Sequence, residues 1–142
     1  MRIRDILQTK GSDVVVIAPD SSVGDLVALL RDRNLGAVIV STDGVTMAGI
    51  VSERDVVRHL ATDADVLSAT VDSVMTQVVH TCHPEDSVDS LMSPMTDHRI
   101  RHLPVLDADD RLSGIISIGD VVKSTITTLQ FERDRLQEYV SS

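Results

Sequence analysis

A single constant shift lays this chain over itself. Pro19 falls on Pro84, Ser22 on Ser87, Val23 on Val88 and Leu26 on Leu91. Further on, Asp32 meets Asp97, Val40 meets Val105, Gly49 and Ile50 meet Gly114 and Ile115, and Ser52 meets Ser117. Asp55, Val56 and Val57 then meet Asp120, Val121 and Val122, and no gap is needed anywhere. Repetition of this kind constrains the fold before any motif does, because each copy must be a unit that needs its neighbour to bury its apolar face. Two copies are too few for a solenoid and imply two halves packed about a pseudo-twofold axis. At 142 residues the chain suits one compact domain, or two small repeats sharing a core, and is too short for two independent average domains.

Each copy reads β-α-β-β-α. The run Val14, Val15, Val16, Ile17 opens the first and the run Val78, Val79, His80, Thr81, Cys82 opens the second; both read as strands buried on at least one face. A Pro and a capping Ser follow. Val23, Leu26, Val27 and Leu30 then recur at helical spacing, as do Val88, Leu91, Met92 and Met95. Pro94 falls inside this second helix and predicts a kink, an early end or a later start. Two short strands come next, at 37–40 and 47–51, around the turn signal Thr42, Asp43, Gly44. Their counterparts are 102–106 and 112–116, around Asp107 to Asp110. A closing helix starts near Ser52 and near Ser117. The expected organisation is a mixed α+β fold with repeats at 8–61 and 77–128, a linker at 62–76 with a short helix near 71–75, and a C-terminal helix extension at 129–142. Val122, Ile126, Leu129, Leu136 and Val140 form an apolar stripe along that last helix. The stripe reads either as a partner surface or as a helix folded back on its own domain.

Composition removes several function classes. Lys and Arg total 13 against 22 Asp and Glu, a net charge of −9, so the chain is a poor match to nucleic-acid phosphates. Phe131 and Tyr139 are the only Phe or Tyr and there is no Trp, which removes aromatic platforms for single-stranded bases and requires an aliphatic core. One cysteine, Cys82, excludes a disulfide-stapled scaffold. No apolar run approaches a membrane span and no signal peptide is visible, so the cytoplasm is the expected location and no membrane partner is expected. His80, Cys82 and His83 form a His-x-Cys-His cluster, but on a strand His83 faces away from the other two, and no second ligand pair stands at zinc spacing. No nucleophile with an adjacent base can be placed, which argues against an enzyme.

The chemistry concentrates in Gly-Ile-x-Ser-x-x-Asp, present at 49–55 and at 114–120. Ser followed three residues later by an acid is a helix capping signal and can be nothing more. The same junction also exposes backbone N–H groups and a positive dipole end that attract phosphate, while the carboxylate can accept from two neighbouring hydroxyls, as on a ribose. Arg54 lies inside the first motif where the second copy has Gly119. Arg99, Arg101 and His102 stand where the first copy has Asn34, Gly36 and Ala37. If the halves face each other, Arg54 and Arg101 can meet on one anion.

The repeated unit with these motifs resembles the CBS domain, and two in tandem resemble a CBS pair, or Bateman module. The stretches 52–58, 95–105 and 117–123 are similar to those of small stand-alone bacterial CBS-pair proteins, and the resemblance spans nearly the whole chain. It implies an adenosine ligand in the cleft between the copies: AMP first, with ADP, ATP, NAD or S-adenosylmethionine as the other members of the set. It implies that Asp55 and Asp120 hold ribose hydroxyls, that Ser52 and Ser117 help with ribose or phosphate, and that Arg54, Arg101 and His102 hold phosphate. The adenine is expected against a first strand, at Val15, Val16 and Ile17 or at Thr81, Cys82 and His83, between aliphatic side chains. The copies are unequal, so one strong and one weak or empty site are expected. The implied role is a regulatory module that forms a homodimer and signals to a separate, unidentified protein; the alternative is a dimerisation module that has lost its ligand.

Overall fold

A computed structural model describes residues 1–77 and 80–141. The first half consists of β1 (Val16–Ile17), α2 (Val23–Arg33), β2 (Ala37–Val40), β3 (Gly49–Ser52) and α3 (Glu53–Leu60), preceded by a helix α1 (Ile3–Lys10). The second consists of α4 (Asp89–Asp97), β4 (His102–Leu106), β5 (Leu112–Ser117) and α5 (Ile118–Ser141). β1 runs parallel to β2, and β2 antiparallel to β3; β4 pairs antiparallel with β5. The pairing repeats with the sequence. Ile17 partners Val40 in the first half, and their counterparts Cys82 and Val105 make an isolated parallel bridge in the second.

The first opening strand is shorter than its apolar run predicts. Only Val16 and Ile17 of the first run are laddered, and among the described residues of the second run Cys82 alone bridges. Val78 and Val79 lie outside the described residues. The helices start where hydroxyls are available: Ser22 Oγ accepts from Asp25 N–H at 3.0 Å, and Ser87 Oγ from Ser90 N–H at 3.2 Å. α4 begins one position later than α2 does relative to the repeat, but it neither stops nor breaks at Pro94. Pro94 and Ser90, whose carbonyl loses its helical donor there, are both on the exposed side, where water can serve that carbonyl.

The helix α1 has no counterpart in the periodicity of the sequence. It buries Ile3, Ile6 and Leu7 not in the first half but in the core of the second, with Leu91, Met95, Val105, Ile116 and Val121. The 62–76 stretch does the reciprocal job. It forms two 3-10 turns, Val66–Ser68 and Val71–Ser73, and buries Val66, Val71 and Val74 in the core of the first half. The backbone bonds match one for one. Ile3 N–H donates to Asp86 O as Val71 N–H does to Ser21 O; Arg4 N–H to Pro84 O as Asp72 N–H to Pro19 O; Val88 N–H to Met1 O as Val23 N–H to Ala69 O. Each half is therefore completed by the segment that precedes the other half in the chain.

This crossing explains the glycine of the repeated motif. A Cβ at Gly49 would sit 2.7 Å from the Thr76 carbonyl oxygen, and one at Gly114 would sit 2.7 Å from Leu7 Cδ2. Both cores are aliphatic, as the shortage of aromatics requires; each fully buried Val, Leu or Ile contributes about 1.5–3 kcal/mol. The long α5 is not folded back: from Ile126 to its end every residue is exposed, and only Val121 and Ser124 are buried.

Candidate functional site

The two Ser-x-x-Asp junctions are built alike. Ser52 N–H donates to Asp55 Oδ2 at 2.8 Å, while Asp55 N–H donates back to Ser52 Oγ at 3.3 Å. In the second half Ser117 N–H donates to Asp120 Oδ2 at 2.8 Å and Asp120 N–H to Ser117 Oγ at 3.1 Å. Both aspartates thus close the first turn of a helix. Each does so with Oδ2, and Oδ1 of each accepts no hydrogen bond among the described residues.

The junctions differ in what lies beside them. Lys10, the last residue of α1, places its ammonium 2.6 Å from Asp120 Oδ2 and 2.9 Å from the Ile115 carbonyl oxygen. Burial would raise the Asp120 carboxyl, but the Lys10 bond and the Ser117 amide outweigh it and hold the group below the usual carboxylate range. Asp55 has no ion pair among the described residues.

On the Asp55 side lies a cavity of about 650 Å³ that brings together Ser52, Arg54, Asp55, Arg101 and His102. Arg58 and Arg99 line it as well, and all four arginines also line an adjoining cavity of about 540 Å³ that continues to Met95, Thr96 and Ile118. Arg54 and Arg58 stand one helical turn apart on α3, so both project to the same face. Arg99 follows α4 in a left-handed conformation, φ 54°. Its counterpart in the first half is Asn34, φ 53°, at the C-cap of α2. Asn accepts this conformation readily and arginine less so.

His102 meets the first half at Gly36, where a Cβ would lie 3.4 Å from its ring. Burial lowers the His102 pKa below 6.5, and Lys10 and Arg101 lower it further against the opposing pull of Asp120 and Glu53. The ring is therefore neutral at pH 7 and offers a hydrogen bond rather than a charge. His98 also lines the larger cavity and stacks on His80, with ring centroids 5.2 Å apart and planes 19° from parallel. The cleft thus has aromatic surface after all, from imidazoles.

Other residues read from the sequence lie elsewhere. Val15, Val16 and Ile17 are in or beside β1, and Ser117 and Asp120 are at the α5 junction; none of them lines either cavity. The same holds for Thr81, Cys82 and His83. Cys82 is buried, its thiol pushed up to about 12 by burial with a contribution from Asp86. His83 Nδ1 lies 2.9 Å from the Leu106 carbonyl oxygen and is its donor. Arg58 was legible in principle from its spacing with Arg54. Lys10 was not, since nothing local ties it to Asp120.

The chain matches the CBS domain family model twice, at residues 3–62 and 71–126. It is 34% identical over 147 residues to the CBS domain-containing protein CBSX3, mitochondrial, of Arabidopsis thaliana, a match covering 97% of this chain and 71% of that one. The crystal structure of the CBS-domain containing protein ATU1752 from Agrobacterium tumefaciens superposes with a TM-score of 0.84 at 41% identity, over 88% of this chain and 99% of that one. CBSX2, solved in complex with AMP, shares the fold at a TM-score of 0.73 and 24% identity, over 89% and 97% of the two chains. Crossed halves, paired strand-to-helix junctions and these matches have one common explanation: the chain belongs to the CBS domain family, as a tandem pair.

Proposed function

We propose that this protein is a non-enzymatic regulatory module that binds an adenosine nucleotide, such as AMP, ADP, ATP or NAD, in the cleft at Ser52 and Asp55. The observation that carries this reading is a shared cavity with opposite chemistry on its walls. A capping carboxylate with one uncommitted oxygen suits ribose hydroxyls, and unpaired guanidiniums suit phosphate. The first strands expected to receive the base, at Val15 to Ile17 and at Thr81 to His83, lie outside both cavities, so the reading rests on the ribose and phosphate ends of the ligand. The complex of CBSX2 with AMP supports the ligand class. Arg101 and Arg54 hold phosphate from opposite halves, so occupancy favours one arrangement of the halves over another, which is the requirement for signalling to a separate protein.

The Asp55 site is the strong one and the Asp120 site the weak one, because the Lys10 ammonium already neutralises Asp120 through Oδ2 and so weakens its free Oδ1 as an acceptor. Calorimetric titration with AMP, ADP, ATP, NAD and S-adenosylmethionine tests the reading. A dissociation constant in the micromolar to low millimolar range for at least one is expected; heat from none would leave a dimerisation module.

A further inference from the structure

The outer face of α5 carries a code in residue type as well as in spacing. Val122, Ile126, Leu129, Arg133, Leu136 and Val140 follow one another at alternating steps of four and three. Ile126, Arg133 and Val140 are then the a positions of a heptad, and Val122, Leu129 and Leu136 the d positions. β-branched residues at a with leucine at d favour two parallel strands, and a single polar a position fixes the register. Ile126 and Val140 meet the first condition, Leu129 and Leu136 the second, and Arg133 the third. Every residue from Ile126 to Ser141 is exposed, a length of about 24 Å, or just over two heptads. So short a coil is marginal as a free peptide. Here the helix is already formed and is rooted by Val121 in the core of the second half.

The charges beside this seam select the orientation. Glu132, at g, makes no ion pair among the described residues. Arg133 holds only its chain neighbour Asp134, at 3.1 Å, with both side chains largely exposed, and such a pair is worth little. In a parallel pair, an a residue lies beside the preceding g residue of the other strand. Arg133 therefore meets the partner's Glu132 on both sides of the twofold axis, which offsets the repulsion of two arginines in one layer. Glu132 in turn faces the partner's Gln137 at e. An antiparallel pair with full overlap of the stripe instead sets Glu132 against the partner's Glu132, a like-charge contact. Phe131 falls outside the seam, at f, and has Arg135 over its own ring, 6.0 Å from the centroid.

We propose that α5 forms a parallel two-stranded coiled coil with a second copy of this chain, held in register by Arg133 against the partner's Glu132. Both modules then sit at the same end of the coil and stay joined with or without ligand.

The test combines sedimentation of the wild type, Arg133→Glu, Glu132→Arg and the double exchange with oxidative cross-linking of Val140→Cys and Phe131→Cys. All four positions are exposed on the single chain, and circular dichroism checks that each variant keeps its helix. Each single exchange should weaken the dimer about tenfold, because it opposes like charges at two symmetric places. The double exchange should recover most of that loss. Val140→Cys should give a disulfide-linked dimer and Phe131→Cys, on the outer face, none; the wild type, whose Cys82 is buried, is the control. A wild-type monomer at high micromolar concentration overturns the proposal. So does a dimer that ignores the single exchanges, one that the double exchange fails to restore, or one in which Val140→Cys stays unlinked. None of these outcomes touches the nucleotide reading.

Discussion

Lys10 and Asp120, at opposite ends of the chain, form the shortest ion pair of the fold among the described residues, 2.6 Å between Nζ and Oδ2. The pair joins the end of α1 to the cap of α5 and closes one of two otherwise matched junctions.

Removing the ammonium should change the acid limb of stability. The Asp120 carboxyl is held below its ordinary value of 3.8. A depressed carboxylate stabilises the fold above its unfolded pKa, and that stability is lost as pH falls through the folded value. In Lys10→Met the Asp120 pKa should rise, and the variant should lose its advantage over fewer acidic pH units. NMR titration of the Asp120 side chain, with melting temperatures from pH 2 to 7, checks this; an unmoved Asp120 pKa would show that the pair has no energetic role.

His102 titrates with the opposite consequence for ligand. Its folded pKa lies below 6.5, with burial the leading cause and Lys10 and Arg101 adding to it. Its neutral form therefore stabilises the fold above 6.5, and this contribution is lost as pH drops through the folded value. A bound phosphate brings negative charge to the ring and favours the imidazolium, so nucleotide affinity should rise between pH 7 and 5.5. The His102→Gln variant should lack that rise, and the difference between the two proteins cancels the titration of the nucleotide itself. Parallel curves for both would place His102 away from the phosphate.

Gly49→Ala and Gly114→Ala should be unequal although the residues are counterparts. At Gly49 the obstruction is the Thr76 backbone oxygen, which moves only with the chain; at Gly114 it is the flexible end of Leu7. Thermal unfolding is expected to show a loss of about 1–3 kcal/mol at Gly49 and a smaller one at Gly114. The reverse order would mean that the segment at Thr76 yields more easily than the α1 helix.

The apolar stripe on α5 predicts association. Leu129, Leu136 and Val140 are 58%, 65% and 82% exposed, and with Val122 and Ile126 they follow a heptad spacing. A twofold dimer pairing these helices is expected. Sedimentation should give twice the 15.4 kDa chain mass at micromolar concentration, and Leu136→Glu should return it to a monomer. A wild-type monomer would leave the stripe without this role.

Several features were decided by local chemistry and so could be read from the residues. The middle strand of each half, at 37–40 and 102–106, follows from apolar residues between turn signals, unbroken in the first and interrupted by Pro104 in the second. The caps at Ser52 and Ser117 follow from a hydroxyl and a carboxylate three residues apart. The repeat itself implied two like halves. The first opening strand was overread because a run of valines marks an apolar segment, whereas a ladder needs a neighbour, and β2 faces only Val16 and Ile17 there. Helix α1 and the 62–76 turns were invisible as counterparts: one is α-helical and the other 3-10, and they share hydrogen-bond partners rather than sequence. The Lys10–Asp120 pair and the shared wall of Arg54, Arg58, Arg99 and Arg101 depend on how the halves cross, which brings together side chains far apart in the chain. Residue pattern determined what each segment could bury and cap. Only the tertiary structure decided which carboxylate meets a lysine and which faces an open cleft, because electrostatic contacts are set by distance in space and leave no period in the sequence.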